Sequence, residues 1–273
     1  MKPLKIFAPA KINYNLKIIR KREDGFHDLS SDVGFLNIGD WLQFSQAKSF
    51  QYSVGGEFAS HCPINQNDDL VVKAAKLFFQ ASGAPPKISI QLKKNLPAGA
   101  GLGGGSADAA GVLRGLNTFF EINWPLDRLT ALALNLGSDT GVCVESKPVH
   151  MEGRGDIIKP LEKVPFDGHF LVVWPDVHSS TKIVYGARPD KITQKPILEN
   201  DLARTAMKLY PAIRTCLGLL AESDGSMNTR LSGSGSACYA VFADREKAST
   251  AAAHIAKRHP TWWVKLAHSY KSA

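Results

Sequence analysis

A cluster of glycines in the first half of the chain has the composition of a phosphate-binding loop. Seven of the 23 glycines in this 273-residue sequence lie between Gly99 and Gly115. Because glycine loses more backbone entropy on folding than any other residue, such a cluster requires a reason. Without side chains, backbone N–H groups can approach an anion closely, and the helix predicted to begin near Ser106 adds its dipole and free N–H groups. The cluster lies between a predicted strand and a predicted amphipathic helix, which favours an anion site over a flexible surface turn.

Three widespread phosphate-binding motifs fit this loop less well. A P-loop requires Lys and then Ser or Thr after its last glycine, but the two residues after Gly104 are Gly and Ser. The dinucleotide pattern Gly-x-Gly-x-x-Gly is matched literally by Gly99, Gly101 and Gly104. It requires a buried strand that runs straight into the first glycine, whereas residues 93–98 intervene here. No His-Arg-Asp or Asp-Phe-Gly motif of the protein kinases follows.

Two charged residues that are distant from the loop in sequence have the side chains that phosphoryl transfer needs. The reaction requires alignment, neutralisation of charge and a group that takes a hydroxyl proton. The carboxylate of Asp139 could accept the proton of the substrate hydroxyl. The compact cation of Lys11 could stabilise the negative charge that builds up on the γ-phosphate. By residue type alone, an Asp after Gly-Ser is often a helix cap and an early Lys is usually solvated. The residues by themselves leave both interpretations open.

Predicted strands and helices surround the loop in the first half of the chain. Residues 87–93 alternate between polar and apolar types, which is typical of a half-buried strand. Residues 70–79 have apolar side chains at helical spacing, with Asp68 and Asp69 placed to cap the N-terminus. We further predict strands over 7–19 and 33–44, a turn at Asp24-Gly25, helices over 107–120 and 127–136, and an irregular stretch over 147–156.

The irregular stretch is the predicted domain boundary, which divides the chain into 1–152 and 153–273. The second half, like the first, mixes predicted strands and helices without strict alternation. This pattern indicates an α+β fold rather than a doubly wound sheet. Its elements are strands over 168–174, 238–242 and 262–267, helices over 201–210, 211–221 and 244–259, and a polar segment over 176–196.

The composition excludes several classes of protein. A hydrophobic share of 44% and a charged share of 21% are ordinary for a globular chain and exclude a collagen-like or mainly disordered one. The net charge of +8 favours anionic partners, but no long basic run with interleaved aromatics indicates a nucleic-acid arm. The four cysteines are far apart and predict neither a zinc site nor a disulfide framework. Without a signal-peptide core or an apolar run of about 18 residues, we expect a cytoplasmic protein.

The glycine loop resembles the ATP-binding motif of the GHMP kinases, which are small-molecule kinases that include galactokinase, homoserine kinase and mevalonate kinase. The family pattern Pro-x-x-x-Gly-Leu-Gly-Ser-Ser-Ala is matched by Pro97, by Gly101-Leu102-Gly103 and by Ser106-Ala107. Gly104 and Gly105 replace serines of many relatives, as they do in the branch that phosphorylates 4-diphosphocytidyl-2-C-methyl-D-erythritol.

Further motifs resemble the same branch in order and spacing over almost the whole chain. They are Ala8 to Asn13, Arg22 to His27, Gly137 to Asp139, Asn200 to Leu202, and Arg230 to Ala237. The chain departs from the pattern at three places: Thr140-Gly141 replaces Val-Pro, Asp69 replaces Asn, and Asp156 replaces Glu.

This resemblance implies an α+β fold of two domains, the first like ribosomal protein S5 and the second a ferredoxin-like sandwich, with the active site in the cleft between them. It assigns catalysis to Lys11 and Asp139. It assigns substrate binding to Asn13, Phe26, His27 and Tyr185, and ATP binding to Pro97, Ala98, Gly99, Ala100, Gly101, Leu102, Gly103, Gly104, Gly105, Ser106 and Ala107. The segment Ser232–Ser236 is either a wall of this site or a simple turn before a strand.

The resemblance also implies the reaction, which is ATP-dependent phosphorylation of the 2-hydroxyl of this polyol in the non-mevalonate isoprenoid pathway. The expected substrate is a polyol linked to cytidine diphosphate, and the expected Mg²⁺ is carried by the ATP phosphates without a predicted protein ligand. Nucleic-acid and membrane partners are not expected, and the chain is expected to be a monomer or a weak homodimer.

Three alternatives remain at this point. Another GHMP kinase, for homoserine or a mevalonate-type alcohol, would differ in its acceptor. A dinucleotide-binding oxidoreductase would bind NAD(P) tightly and form no ADP. A basic nucleotide- or RNA-binding protein would show salt-dependent binding without turnover.

Overall fold

A computed structural model describes residues 3–189 and 198–271 of the chain. The described residues form eleven strands and eight α-helices, with two short 3₁₀ turns before the first helix. In the first part these are β1 (Leu4–Asn13), β2 (Lys17–Lys21), β3 (His27–Gln46), β4 (Gln51–Gly55), α1 (Leu70–Ser82), β5 (Ile88–Lys93), α2 (Gly104–Phe119), α3 (Leu126–Leu134), α4 (Ser138–Glu145), β6 (Val149–Gly153) and β7 (Ile157–Pro160). The second part has β8 (His169–Trp174), α5 (Thr181–Gly186), α6 (Ala203–Leu209), α7 (Pro211–Glu222), β9 (Ser226–Leu231), β10 (Cys238–Phe242), α8 (Arg245–Arg258) and β11 (Trp263–Ala267).

The long strand β3 is the centre of a seven-stranded sheet. It pairs antiparallel with β1, β2, β5 and β6, and the sheet has the order β4-β5-β3-β6-β7 with β1 and β2 beside β3. The pairing of β1 with β3 shifts register between Pro9 and Ala10. Beyond that irregularity lies the segment of β1 that contains Lys11.

Helices α1 to α4 pack on one face of this sheet. Helix α2 approaches β3 closely because it has glycines on the contact face: a Cβ on Gly111 would lie 2.6 Å from Leu42 Cδ1, and one on Gly115 would collide with the Phe44 ring. This close packing fixes the start of α2, and with it the end of the glycine loop. The core between sheet and helices includes Phe35, Leu42, Phe44, Phe78, Ile88, Ile90, Leu113 and Leu116.

The second sheet is four-stranded and antiparallel, with the order β11-β8-β10-β9. Helices α5 to α7 separate β8 from β9, and α8 separates β10 from β11. This is the βαββαβ order of a ferredoxin-like sandwich, so the α+β class with a second domain of that kind is confirmed. Its core includes Leu171, Val173, Ile213, Leu217, Leu220, Phe242 and Ile255.

A third apolar cluster joins the two sheets. Ala10 and Ile12 of β1 pack in it with Phe170, Val172 and Tyr239 of the second sheet, and all five are buried. Because β1 contributes to this cluster, the strand that carries Lys11 is held by both halves of the molecule.

Several predicted elements need correction. The stretch 147–156, which we expected to be irregular, contains β6, whose Val149 and Met151 face the core. Helix α5 lies within the polar segment 176–196, of which residues 190–196 are outside the described part of the chain. Helix α4 and strand β9 were not predicted because each is short and has no strong apolar periodicity.

The division at 152/153 lies within the β6–β7 hairpin. Strand β7 follows this point and still pairs with β6 in the large sheet, while the second sheet begins with β8 at His169. The last described residues return to the first sheet, because Tyr270 donates its backbone N–H to the Phe35 carbonyl (2.8 Å). In the described residues, no helix is both long enough and apolar enough to cross a bilayer.

Candidate active site

A cavity of about 910 Å³ brings together eight of the 17 predicted site residues, while the other nine, all from the glycine loop, do not line it. It lies where β1, the glycine loop, the start of α4 and helix α5 meet. Its walls include Lys11, Asn13, Phe26, His27, Gly101, Ser106, Asp139 and Tyr185. All four substrate residues, both catalytic residues and two loop residues of the prediction therefore line one space.

The central feature of this cavity is a lysine–aspartate pair. Lys11 Nζ lies 3.0 Å from Asp139 Oδ2 and 3.0 Å from Asn13 Oδ1. The lysine side chain is 4% exposed, whereas the aspartate side chain is 40% exposed. The carboxylate is thus open to a molecule in the cavity, while the ammonium is held beneath it with little solvent to screen its charge.

Hydrogen bonds from three directions hold the backbone around this pair. Lys11 donates its N–H to the Leu102 carbonyl of the glycine loop (2.8 Å). The side-chain Nδ2 of Asn13 donates to Ser31 Oγ (2.8 Å). The backbone carbonyl of Asn13 accepts from the Tyr239 hydroxyl (3.0 Å). Because the side-chain amide of Asn13 is fixed by Ser31, its oxygen is directed at Lys11, which makes Asn13 at least a brace for the lysine.

Asp139 lies in the first turn of α4. A carboxylate in a first helical turn is stabilised by the unpaired N–H groups and the positive end of the helix dipole. The unusual Gly141 that follows is explained by packing, since a Cβ there would lie 2.8 Å from Leu134 Cδ2 of α3 and 3.3 Å from Ile158 Cδ1 of β7. The glycine at 141 therefore allows α4 to pack closely against α3 and β7.

The glycine loop has the backbone of an anion site. Gly99, Gly101 and Gly103 all have left-handed φ angles of 66°, 78° and 64°. Helix α2 begins directly after Gly103, and no side chain caps it. Its first N–H groups therefore remain available to a bound anion. Among the predicted ATP residues, Ala100, Leu102 and Ala107 have buried side chains, so only their backbone can face a ligand.

The second half of the chain holds this loop from behind. Ala237 donates its N–H to the Ala100 carbonyl (2.8 Å), Ser232 Oγ donates to the Gly101 carbonyl (2.8 Å), and Ser179 donates its N–H to the Gly99 carbonyl (3.4 Å). The segment Ser232–Ser236 is thus a wall of the site, with Gly233 and Ser234 lining the cavity. Ser179 was missed by sequence reasoning because it lies in an unremarkable polar segment.

Gly101 is expected to tolerate no side chain. Alanine in the left-handed conformation costs about 1–2 kcal/mol, and a Cβ at Gly101 would also collide with the Ser232 carbonyl oxygen. We expect Gly101→Ala to lower the free energy of unfolding by about 2 kcal/mol or more, as measured by urea denaturation.

Gly105→Ala is the matched control within the same loop. Gly105 does not have a left-handed φ, and a Cβ there would meet only Leu70 Cδ1 at 3.5 Å. The free energy of unfolding of Gly105→Ala is expected to equal that of wild type or to exceed it by up to about 1 kcal/mol, because alanine has the higher helix propensity. Equal stability of Gly101→Ala and Gly105→Ala would contradict the tight contact between loop and wall.

Three aromatic rings form the far side of the cavity. The rings of His27 and Tyr185 lie 5.0 Å apart between centroids at 44°. Phe26 is 52% exposed, and the Arg154 guanidinium carbon lies 3.9 Å from its ring centroid. Burial raises the pKa of the Tyr185 hydroxyl well above its usual value, so this ring is uncharged at neutral pH. The arrangement offers π-faces to a planar ligand.

Sequence reasoning missed the basic residues of this cavity. Lys21, Arg154, Lys182 and Arg188 line it in addition to Lys11. They come from three separate parts of the chain, so no basic run marks them in the sequence. A cavity with this excess of positive charge favours anionic molecules.

The other two departures from the family pattern have structural explanations. Asp69 is the N-cap of α1, where Oδ1 accepts the Val71 N–H (2.9 Å) and Oδ2 accepts the Tyr52 hydroxyl (2.8 Å). Asp156 Oδ1 accepts the Arg154 N–H (2.8 Å) in the β6–β7 turn. Both carboxylates therefore stabilise local backbone.

Comparisons with known proteins agree with this geometry. The model of the GHMP kinase N-terminal domain matches residues 69–146, and that of the GHMP kinase C-terminal domain matches residues 192–261. A 4-diphosphocytidyl-2-C-methyl-D-erythritol kinase of Paramagnetospirillum magneticum is 36% identical, over 97% of this chain and 98% of its own length.

Solved structures agree as well. A crystal structure of 4-(cytidine 5'-diphospho)-2C-methyl-D-erythritol kinase superposes with a TM-score of 0.80 at 29% identity, covering 97% of this chain and 99% of its own. A homoserine kinase of Cytophaga hutchinsonii superposes with a TM-score of 0.73 at 18% identity, covering 99% and 95%, which shows the shared fold alone. The chain belongs to the GHMP kinases and, within them, to the 4-diphosphocytidyl-2-C-methyl-D-erythritol kinase family.

Proposed function

We propose that this protein transfers the γ-phosphate of ATP to the 2-hydroxyl of 4-diphosphocytidyl-2-C-methyl-D-erythritol, a step of the non-mevalonate route to isoprenoid precursors. The observation that carries the proposal is the Lys11–Asp139 pair, 3.0 Å apart, between a glycine loop and an aromatic wall in one cavity. The relatives at 31–36% identity are named for this substrate, and they match this chain over nearly its full length.

In the proposed reaction the substrate hydroxyl lies against Asp139. The hydroxyl oxygen forms a bond to the γ-phosphorus while the bond from that phosphorus to the β–γ bridging oxygen breaks, so that ADP leaves. Asp139 accepts the hydroxyl proton. Lys11, buried and directed at the same point, stabilises the negative charge that develops on the transferred group.

ATP is proposed to bind with its phosphates at the glycine loop. The first N–H groups of α2 have no side-chain cap and are the proposed donors to these phosphates. Mg²⁺ would enter on the ATP phosphates as part of that substrate, since Mg²⁺ commonly keeps phosphate and water ligands. The described residues contain no group of three His, Cys, Asp or Glu side chains that could hold a metal ion.

The cytosine of the substrate is proposed to stack on the aromatic wall. Tyr185 and His27 offer ring faces there, His27 can also hydrogen-bond a base edge, and the basic residues of the cavity suit a diphosphate. Asn13, which braces Lys11, lines the same space and is the proposed contact to the polyol.

Tyr185→Ala is expected to weaken substrate binding without removing the chemistry. Loss of one stacking ring costs about 1–3 kcal/mol, so KM for the cytidine-linked substrate should rise about 10- to 100-fold. The KM for ATP should stay within about 2-fold, because this ring is assigned to the cytosine and not to the ATP phosphates. Steady-state kinetics with each substrate varied in turn measure both values. Equal changes in the two KM values would contradict the assignment of Tyr185 to the base.

The function is tested by ADP release with ATP, Mg²⁺ and one acceptor at a time. The panel contains 4-diphosphocytidyl-2-C-methyl-D-erythritol, homoserine and mevalonate, and phosphorus NMR identifies the phosphorylated hydroxyl. We expect turnover with the first acceptor and a phosphate on its 2-hydroxyl. Turnover with homoserine or mevalonate instead would assign the protein to a different acceptor. Tight binding of NAD(P) without ADP formation would replace the kinase by an oxidoreductase.

A further inference from the structure

Three buried charged residues lie beneath the glycine loop and have no role in the proposed reaction. Lys94 Nζ is 2.6 Å from Asp40 Oδ2 and 2.5 Å from Asp108 Oδ2. All three side chains are at most 3% exposed. Charges this deeply buried are expensive unless they are fully paired, so the arrangement requires an explanation.

The triad connects both ends of the loop to the central strand. Asp40 comes from β3, Lys94 directly precedes the loop, and Asp108 lies on α2, which follows it. Asp40 Oδ1 accepts the backbone N–H groups of Asn95 (2.5 Å) and Leu96 (2.9 Å). Asp40, Lys94 and Asp108 are called the clamp. The clamp lies under the glycine loop, and this loop is the part expected to bind phosphates.

The clamp also reaches the first residue of α2. A Cβ on Gly104 would lie 3.0 Å from Lys94 Nζ and 3.5 Å from Asp40 Oδ2. The charged atoms of the clamp therefore lie next to the N-terminus of α2. At this distance, in a buried site, a net charge acts strongly on the anion-binding N–H groups.

The two carboxyl groups have unequal surroundings. Asp40 accepts three hydrogen bonds, from Lys94 and from two backbone N–H groups. Asp108 accepts one, from Lys94, while its Oδ1 is buried without a donor. A buried carboxylate oxygen without a donor is costly while the group is charged, which favours the neutral form of Asp108.

We propose that Asp108 is a positioning residue that is held protonated beneath the glycine loop, so that the clamp is a neutral Asp40–Lys94 ion pair with a neutral carboxylic acid beside it. An ionised Asp108 would leave one uncompensated negative charge below the loop, where it would oppose the phosphates. The neutral acid keeps the hydrogen bond that it accepts from Lys94 (2.5 Å) and fixes α2 without that penalty. The inference rests on the proposed binding of ATP at this loop.

The charges around Asp108 agree with this assignment. Burial, and then the Asp40 carboxylate, raise the pKa of Asp108 well above its usual range, against the opposing effect of Lys94. Burial lowers the pKa of Lys94, but its acidic partners Asp108 and Asp40 outweigh burial and raise that pKa, so the lysine remains charged. The other titratable groups whose charges are coupled to the triad are Tyr52, His61, Cys62 and Cys143, with Asp69 beside Tyr52.

An infrared difference spectrum tests the proton directly. At neutral pH, wild type minus Asp108→Asn is expected to contain the C=O stretch of a protonated carboxyl group. A difference spectrum that contains only ionised carboxylate bands would overturn the proposal. This readout needs neither ATP nor turnover, so it remains decisive even where the proposed function fails.

The pH dependence of stability tests the same point in solution. An acid whose pKa is higher in the folded state than its unfolded value near 3.8 lowers stability as pH rises between the two values. Asparagine mimics the neutral acid and removes this effect. We expect the urea midpoint of Asp108→Asn to exceed that of wild type at pH 8, with a difference that shrinks towards pH 4. A midpoint below that of wild type at pH 8 would contradict a neutral Asp108.

A matched pair of variants tests the consequence for the nucleotide. Calorimetry should find ADP binding to Asp108→Asn within about 2-fold of wild type, and binding to Asp40→Asn weaker by about 10-fold or more, because Asp40 is the charged acceptor of three hydrogen bonds. Equal weakening by both variants would show that the charge of Asp108 is needed and would overturn the proposal. The infrared and stability arms use Asp108→Asn alone and remain valid where Asp40→Asn does not fold.

Discussion

Asp139→Asn is expected to lower kcat by about 10²- to 10⁴-fold, which is the usual contribution of a positioned general base. The amide keeps the size and shape of the side chain but cannot accept the hydroxyl proton as a base. Because the Asp139 side chain is 40% exposed and lies in the first turn of α4, its neutralisation should leave the fold intact. The measurement is initial-rate ADP release, with urea denaturation to confirm that the variant is folded.

Asp127→Asn is the matched control for this variant. Asp127 is also an exposed aspartate in the first turn of a helix, α3, but it does not line the cavity. Its kcat should equal that of wild type. If Asp139→Asn retained full activity while Asp127→Asn behaved as expected, the protein could still be a kinase but Asp139 would not be its base.

Lys11→Met is expected to lower kcat by about 10²- to 10³-fold, since removal of one preorganised donor to developing charge has an effect of this size. Methionine matches the length and apolar stem of lysine, so the buried position remains filled. The loss removes the only cation that contacts Asp139 within 4.0 Å among the described residues. Binding of ADP, measured by calorimetry, should change far less than kcat.

Lys5→Met provides the comparison on the same strand. Lys5 is an exposed residue of β1, outside the cavity that contains Lys11. This variant has the same chemical change and the same change in net charge, and its kcat should be unaltered. A comparable fall of kcat in Lys5→Met would mean that general electrostatic attraction, rather than the position of Lys11, supports the reaction.

The local features of this protein were predictable because they depend on neighbouring residues. The glycine loop between a strand and a helix, the cap of α1 by Asp69, and strand β5 all follow from residue type and spacing over a few positions. The resemblance of separate motifs then identified the kinase family and the candidate residues. Burial and direction of the side chains were not determined at that level, since short elements such as α4 and α5 have no strong pattern of their own.

The sequence by itself determined which residues are available for this chemistry, and the tertiary structure alone decided which of them meet. Lys11 and Asp139 are 128 positions apart, and their 3.0 Å contact requires β1 and α4 to converge beneath the loop. The loop is held by Ser232 from the other half of the chain. No pattern in the sequence predicted that Asp40, Lys94 and Asp108 meet in the clamp. Electrostatic interactions depend on distance and on exclusion of water, and both are set by packing between elements that are distant along the chain.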